Sequence, residues 1–228
     1  MSMEITPIAY IRTEFPEKFG IPRQSGLAGA LKGKIVFEQE YRNPDALRGL
    51  EGFSHIWLIW GFSANRKGGW QPTVRPPRLG GNHHMGVFAT RSPFRPNPLG
   101  LSCVEVESVV NDTADGPVIY VRGADLMDGT PIYDIKPYIR YADSRPEAEC
   151  GYVDQLEERR LKVLFPESLA DEMPHEDTRE ALQEVLALDP RPSYHDDPER
   201  EYGISFGRYN VRFRVNGDIL EVVSLSVQ

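Results

Sequence analysis

The chain has 228 residues, 40% hydrophobic and 26% charged, an ordinary balance for a folded globular protein and not for a disordered one. Its net charge of −8 taken alone argues against a polyanionic partner, and its two cysteines, Cys103 and Cys150, offer neither a disulfide framework nor a zinc spacing. No basic-then-apolar leader opens the chain and its longest apolar run, Ile56 to Phe62, is too short to span a bilayer, so a cytoplasmic protein with no membrane partner is expected.

Ile5 to Arg12 reads as a strand, because Ile and Tyr favour extended backbone. Phe15 to Gln24 holds two prolines and a glycine and reads as loop, ending in a rigid, polar Pro22-Arg23-Gln24 at the surface. Gly33 to Gln39 is a second strand, and Asn43 to Leu50 a short helical turn with Asn before Pro as its cap. Phe53 to Phe62 is the most apolar segment and predicts a buried strand, with His55 a hydrogen-bonded core histidine. Arg66 to Asn82 is polar, Gly/Pro-rich and long for a structureless connection, the kind of loop that carries function.

The stretch Gly86 to Ser102, GVFATRSPFRPNPLGLS, stands apart. It opens as an apolar strand over Gly86 to Ala89, turns into a loop, and leaves through Leu99-Gly100-Leu101 into an alternating run. Pro93, Pro96 and Pro98 fix φ and remove backbone donors, so the loop presents Arg91 and Arg95 from a stiff frame. Leu99 to Val110 and Pro117 to Gly123 alternate as antiparallel strands, with Cys103 a buried thiol. Asp128-Gly129 marks a tight turn before a short strand at Ile132 to Lys136. Many short strands with almost no helix predict an all-β barrel or sandwich over the first 140 or so residues.

Residues 143–155 turn acidic and irregular and read as a linker, dividing the chain into 1–142 and 156–228. The second part predicts a strand at Arg160 to Phe165, an amphipathic helix at Glu176 to Leu188, an exposed loop at Arg191 to Tyr194 and a hairpin about Asn216-Gly217. In that hairpin Arg212 and Arg214 alternate with Val211, Phe213 and Val215, so the arginines share one face. A small α+β domain is expected.

The net charge conceals a segregation. Gly52 to Val104 contains no Asp or Glu but holds Arg66, Lys67, Arg75, Arg78, Arg91 and Arg95, which leaves a net of −14 on the other 175 residues. A long acid-free segment in an acidic protein is the footprint of a polyanion or of a phosphate- or carboxylate-bearing ligand. No phosphate-binding glycine loop, dinucleotide fingerprint or nucleophile elbow occurs, and the adjacent His83 and His84 lack metal-ligand spacing, so no metal is expected. From the residues alone the chain is a β-rich protein with a rigid basic loop near acidic turns, binding an anionic partner.

The central stretch, with PTVRPPRLGGN before it and DLMDGTPIYDIKPYIRYADS after it, closely resembles the TrmO family, as do KFGIPRQ, RGLEGFSHIWLI and DPRPSY. The resemblance implies a single-sheet β-barrel methyltransferase domain with a small α+β C-terminal domain, a homodimer, and S-adenosylmethionine as cofactor. It implies a tRNA substrate, a threonine tRNA being the best known, whose adenosine at position 37 carries N6-threonylcarbamoyl and is methylated at N6. On the matching positions, Pro22, Arg23, Gln24, Phe62, Ser63, Arg91, Leu101 and the turn residues Asp125, Leu126, Met127, Asp128 and Thr130 would hold the cofactor. Asp125, Asp128 and Arg95 would serve the chemistry, and Arg75, Arg78, Arg95, Arg191, Tyr194, Arg212 and Arg214 would contact tRNA. The alternatives are a non-catalytic RNA-binding protein, a methyltransferase of the same fold with another substrate, and a purely structural interaction domain.

Overall fold

Six strands with alternating apolar residues close into one antiparallel barrel. They are β1 (Ala9–Arg12), β2 (Lys32–Phe37), β3 (His55–Gly61), β6 (Leu99–Val110), β7 (Val118–Arg122) and β8 (Pro131–Pro137), joined in the order β1-β2-β7-β6-β3-β8 with β8 returning to β1. The inward face of each strand fills the interior, from Ile11, Ile35, Ile56, Leu58, Val104, Ile119, Val121 and Ile132, all essentially solvent-free. Each such side chain contributes roughly 1.5–3 kcal/mol of burial, and a closed sheet leaves no unpaired edge. The computed structural model describes residues 3–65, 69–79, 83–156, 159–192, 195 and 197–228, without the side chains of Asn65 and Arg78.

Between β3 and β6 a two-stranded ribbon, β4 (Thr73–Val74) with β5 (Met85–Gly86), carries the loop of the central motif. The strand expected over Gly86 to Ala89 stops at Gly86. A 3-10 turn takes Val87–Ala89 instead, burying Val87 and leaving Phe88 outside. His55 is also corrected: it begins β3 on the exposed face, against the Ser54 hydroxyl at 3.0 Å, because the inward register belongs to Ile56, Leu58 and Trp60. Cys103 faces outward on β6 and is half-buried rather than a core thiol; burial, with Asp143 nearby, pushes its pKa up.

After β8 come a short helix α1 (Arg140–Asp143) and a second sheet. Its strands β9 (Lys162–Leu164), β10 (Tyr202–Phe206), β11 (Tyr209–Asn216) and β12 (Ile219–Val227) lie in the order β10-β11-β12-β9, only β9 parallel to its neighbour. Helix α2 (Glu176–Ala187) buries Ala181, Leu182, Val185 and Leu186, as its spacing requires. The hairpin turn falls at Gly217-Asp218, one residue later than the sequence signal, with Asn216 paired to Ile219 and Gly217 at φ 58°.

The β1–β2 connection is not a free surface loop along its whole length. Phe15, Ala28 and Leu31 enter the second core, Phe15 edge-on to Phe206, and the Gly207 N–H bonds to the Glu14 carbonyl. This leaves the following residues, Pro22 to Ser25, fixed beside the barrel. Among the described residues no helix is long and apolar enough to cross a membrane.

Candidate active site

A cleft of about 470 Å³ opens at one end of the barrel, where the β1–β2 connection, the end of β3, the proline-rich loop, the start of β6 and the segment after β7 converge. Two glycines make this convergence possible. Gly100 pairs with Trp60 across β3 and β6, and a Cβ there would lie 2.3 Å from the indole, so glycine lets the ring lie across the strand. Gly123, at φ +71°, brings its carbonyl 2.8 Å from the Gly26 N–H, and a Cβ on Gly123 would crowd the Gly26 backbone at 3.1 Å. That approach draws Pro22 to Ser25 against Asp125. The Ser25 hydroxyl accepts the Cys103 N–H at 3.2 Å, and Arg91 donates across to the Gln24 side chain, closing the wall.

Asp125 is the one carboxylate among the lining residues, facing the cations of Lys18, Arg23, Arg91 and Arg95. It is held by a buried relay: the Trp60 Nε1–H donates to Ser102 Oγ at 2.9 Å, and the Ser102 hydroxyl donates to Asp125 Oδ1 at 2.6 Å. Burial pushes the Asp125 carboxyl above the usual carboxylate range. The Ser102 hydrogen bond, backbone N–H groups and the Arg91 charge pull the other way. A carboxylate so placed is more basic than an ordinary one and aimed by a fixed hydroxyl.

The proline-rich loop is organised by Arg95. Its Nη1 donates to the carbonyls of Val87 at 3.2 Å and Thr90 at 2.7 Å, while the Thr90 hydroxyl returns to the Val87 carbonyl at 2.9 Å. Arg95 therefore both lines the cleft and fixes the loop around it. Phe62 packs edge-on against Trp60 with centroids 4.4 Å apart, giving the cleft an aromatic wall.

Eleven of the residues expected around a cofactor meet in this cleft: Pro22, Arg23, Gln24, Phe62, Ser63, Arg91, Leu101, Asp125, Leu126, Met127 and Thr130. Asp128 does not. Its carboxylate accepts the Thr13 N–H at 3.1 Å and faces Arg12 at 3.5 Å, holding the β1 end to the 127–130 turn outside the cleft. Of the expected tRNA contacts, Arg75 lies on the exposed ribbon, its Nε donating to His84 at 3.1 Å, and Arg212 and Arg214 occupy the exposed face of β11, Arg214 paired with Glu201. Arg191 is a correction: it is 8% exposed and doubly bonded to Asp189 at 2.8 and 2.9 Å, so it braces its loop from within. The expected Arg78 side chain and Tyr194 lie outside the described residues.

Trp60 and Ser102 were not singled out by sequence. A polar residue on the inward register of an apolar strand, with Val104 next on the same face, is the signal that marks Ser102.

The chain is similar to known proteins over nearly its whole length. The tRNA-methyltransferase O N-terminal domain model matches residues 10–144, and the TrmO C-terminal domain model matches residues 158–228. A tRNA (adenine(37)-N6)-methyltransferase of Escherichia coli is 42% identical over 98% of both chains. One from Eikenella corrodens is 44% identical over 72% of this chain and 91% of its own. A crystal structure of TrmO from Pseudomonas aeruginosa superposes with a TM-score of 0.78 at 32% identity, covering 99% of this chain and 100% of that one. With models matched over both sheets and a relative aligned nearly end to end, the chain belongs to the tRNA-methyltransferase O family.

Proposed function

We propose that the chain is a cytoplasmic, homodimeric S-adenosylmethionine-dependent tRNA (adenine(37)-N6)-methyltransferase. Its acceptor is an adenosine already bearing N6-threonylcarbamoyl, in threonine tRNA. The observation that carries this reading is the cleft with a single relay-held carboxylate among four cations, in a chain of this family. The lining chemistry fits the cofactor. Trp60 and Phe62 offer flat apolar surface to an adenine, Asp125 suits a ribose hydroxyl or a sulfonium, and Arg91 and Arg23 suit a carboxylate. When bound, S-adenosylmethionine supplies an electrophilic methyl group.

The protein's own residues then have two tasks. The acceptor is a urea-like nitrogen, a weak nucleophile, so it must be held in line and its proton must have somewhere to go. Of the two aspartates weighed for that role, Asp125 faces the cleft and has the raised basicity; Asp128 faces Thr13 and Arg12. We assign proton acceptance to the Asp125 carboxylate, with Ser102 holding Oδ1. Arg95 and Arg75 serve the threonyl carboxylate and backbone phosphates, and Arg212 adds a contact from the second sheet, where Arg214 is paired with Glu201. Division at residues 143–155 into a methyl-transfer unit and an RNA-docking unit belongs to the same proposal.

Expression in a bacterial host lacking its own tRNA (adenine(37)-N6)-methyltransferase tests the reading. Nucleoside analysis of host tRNA is expected to show the N6-methylated form of threonylcarbamoyladenosine restored. Host tRNA left unmethylated by a soluble, folded chain would overturn it.

A further inference from the structure

Phe88 sits in the middle of the Val87–Ala89 turn with 72% of its surface exposed, while Val87 beside it is buried. A solitary exposed apolar residue is ordinary on a protein surface. This ring, however, is fixed. The Arg95 guanidinium lies over it at 5.6 Å from the centroid and is itself held by the Val87 and Thr90 carbonyls, on a side chain that also lines the cleft. The turn is tied to its neighbouring ribbon by Val87 N–H to Pro72 and Gln71 N–H to Phe94, each at 3.0 Å, which places Trp70, 55% exposed, on the same unit. Around them, Gly52 to Val104 contains no acidic residue.

We infer that Phe88 is a stacking platform for an unpaired base adjoining the target adenosine. This inference rests on the proposed function. An enzyme acting on a base in an RNA loop must separate it from its stack, and the neighbouring base then loses a partner. An aromatic face braced by a cation at the rim of the cleft replaces that partner, accepts any base, and needs no hydrogen bond. The acid-free surroundings admit the phosphates on either side.

The test uses the full-length protein and an anticodon stem-loop RNA carrying threonylcarbamoyladenosine at the target position, with 5-iodouridine placed in turn at each neighbouring nucleotide. Irradiation is expected to crosslink one of the two positions to Phe88. Phe88→Ala is expected to raise the KM for the RNA roughly tenfold, with the melting shift caused by S-adenosylmethionine unchanged, and Phe88→Trp to restore the KM. Methylation by Phe88→Ala at wild-type KM, with no crosslink at Phe88 in the wild type, overturns the inference alone. A smaller oligomeric mass for Phe88→Ala than for wild type overturns it in favour of a contact between copies of the chain. A wild-type protein that does not methylate this RNA overturns the proposed function and the inference together.

Discussion

Among the described residues every arginine–carboxylate pair lies outside the acid-free segment, while Arg75, Arg91 and Arg95 within it are held by neutral acceptors. Arg91 donates to the Gln24 amide, Arg95 to the backbone carbonyls of Val87 and Thr90, and Arg75 to the His84 ring. Elsewhere, Arg122 pairs with Glu107, Arg159 with Asp218, Arg191 with Asp189 and Arg214 with Glu201. Neutral acceptors fix a guanidinium without cancelling its charge, whereas carboxylates spend that charge locally. A protein of net charge −8 can in this way keep one uncompensated cationic face around its cleft. The lesson concerns partners rather than counts: ion-paired arginines are confined to the rest of the chain, where others such as Arg42 and Arg160 bond to carbonyls, while those around the cleft keep their charge.

The largest expected effect comes from the one acid inside that cationic face. Asp125→Asn is expected to lower kcat by roughly 10²–10⁴-fold, the usual range for a lost proton acceptor, while Asp128→Asn stays within about threefold. Burial raises the Asp125 carboxyl in the folded state, so the folded protein holds that proton more tightly and loses stability as pH rises through the raised value. Asp125→Asn is therefore expected to melt at or above the wild-type temperature at neutral pH. A variant that is both inactive and strongly destabilised would show that Asp125 is structural.

Next in size, Arg75→Ala is expected to raise the KM for tRNA about tenfold, against less than twofold for Arg214→Ala, whose partner is Glu201. Equal effects would break the distinction between neutral and acidic partners. Salt titration sharpens it further. The slope of log K for tRNA against log salt is expected to shrink by about one for Arg75→Ala and to stay unchanged for Arg214→Ala. The smallest effect is expected at Ser102, whose hydrogen bond lowers the Asp125 pKa. Ser102→Ala lets that pKa rise, so the acidic limb of the pH–rate profile moves to higher pH; an unmoved limb would remove Ser102 from the relay.

Much of this was legible in the sequence. Two-residue alternation marked β6, β7 and β11, and three prolines marked a stiff loop, because both signals act through local backbone geometry. The segregation of charge pointed to the cleft, since Arg91 and Arg95 of the acid-free segment line it. Three features were not legible because they depend on contacts far apart in sequence. The Trp60–Ser102–Asp125 relay joins three separate segments of the barrel. Asp128 was separated from Asp125 only by the fold, which turns it toward Thr13, 115 residues away. Arg191 looked exposed in a polar loop; its partner Asp189 is a near neighbour in sequence, but its burial comes from tertiary packing that no local signal carries. His55 failed for a related reason, since a shift of one residue in register moves a strand side chain to the opposite face.

The most direct measurement is methyl transfer in vitro from labelled S-adenosylmethionine to total tRNA drawn from cells with and without the threonylcarbamoyl modification. The account predicts label in the modified pool alone, at the nucleoside 3′ to the anticodon, and its loss with Asp125→Asn. Label in both pools would contradict the assigned acceptor, and label in neither pool, with tRNA still bound, would contradict methyl transfer to tRNA itself.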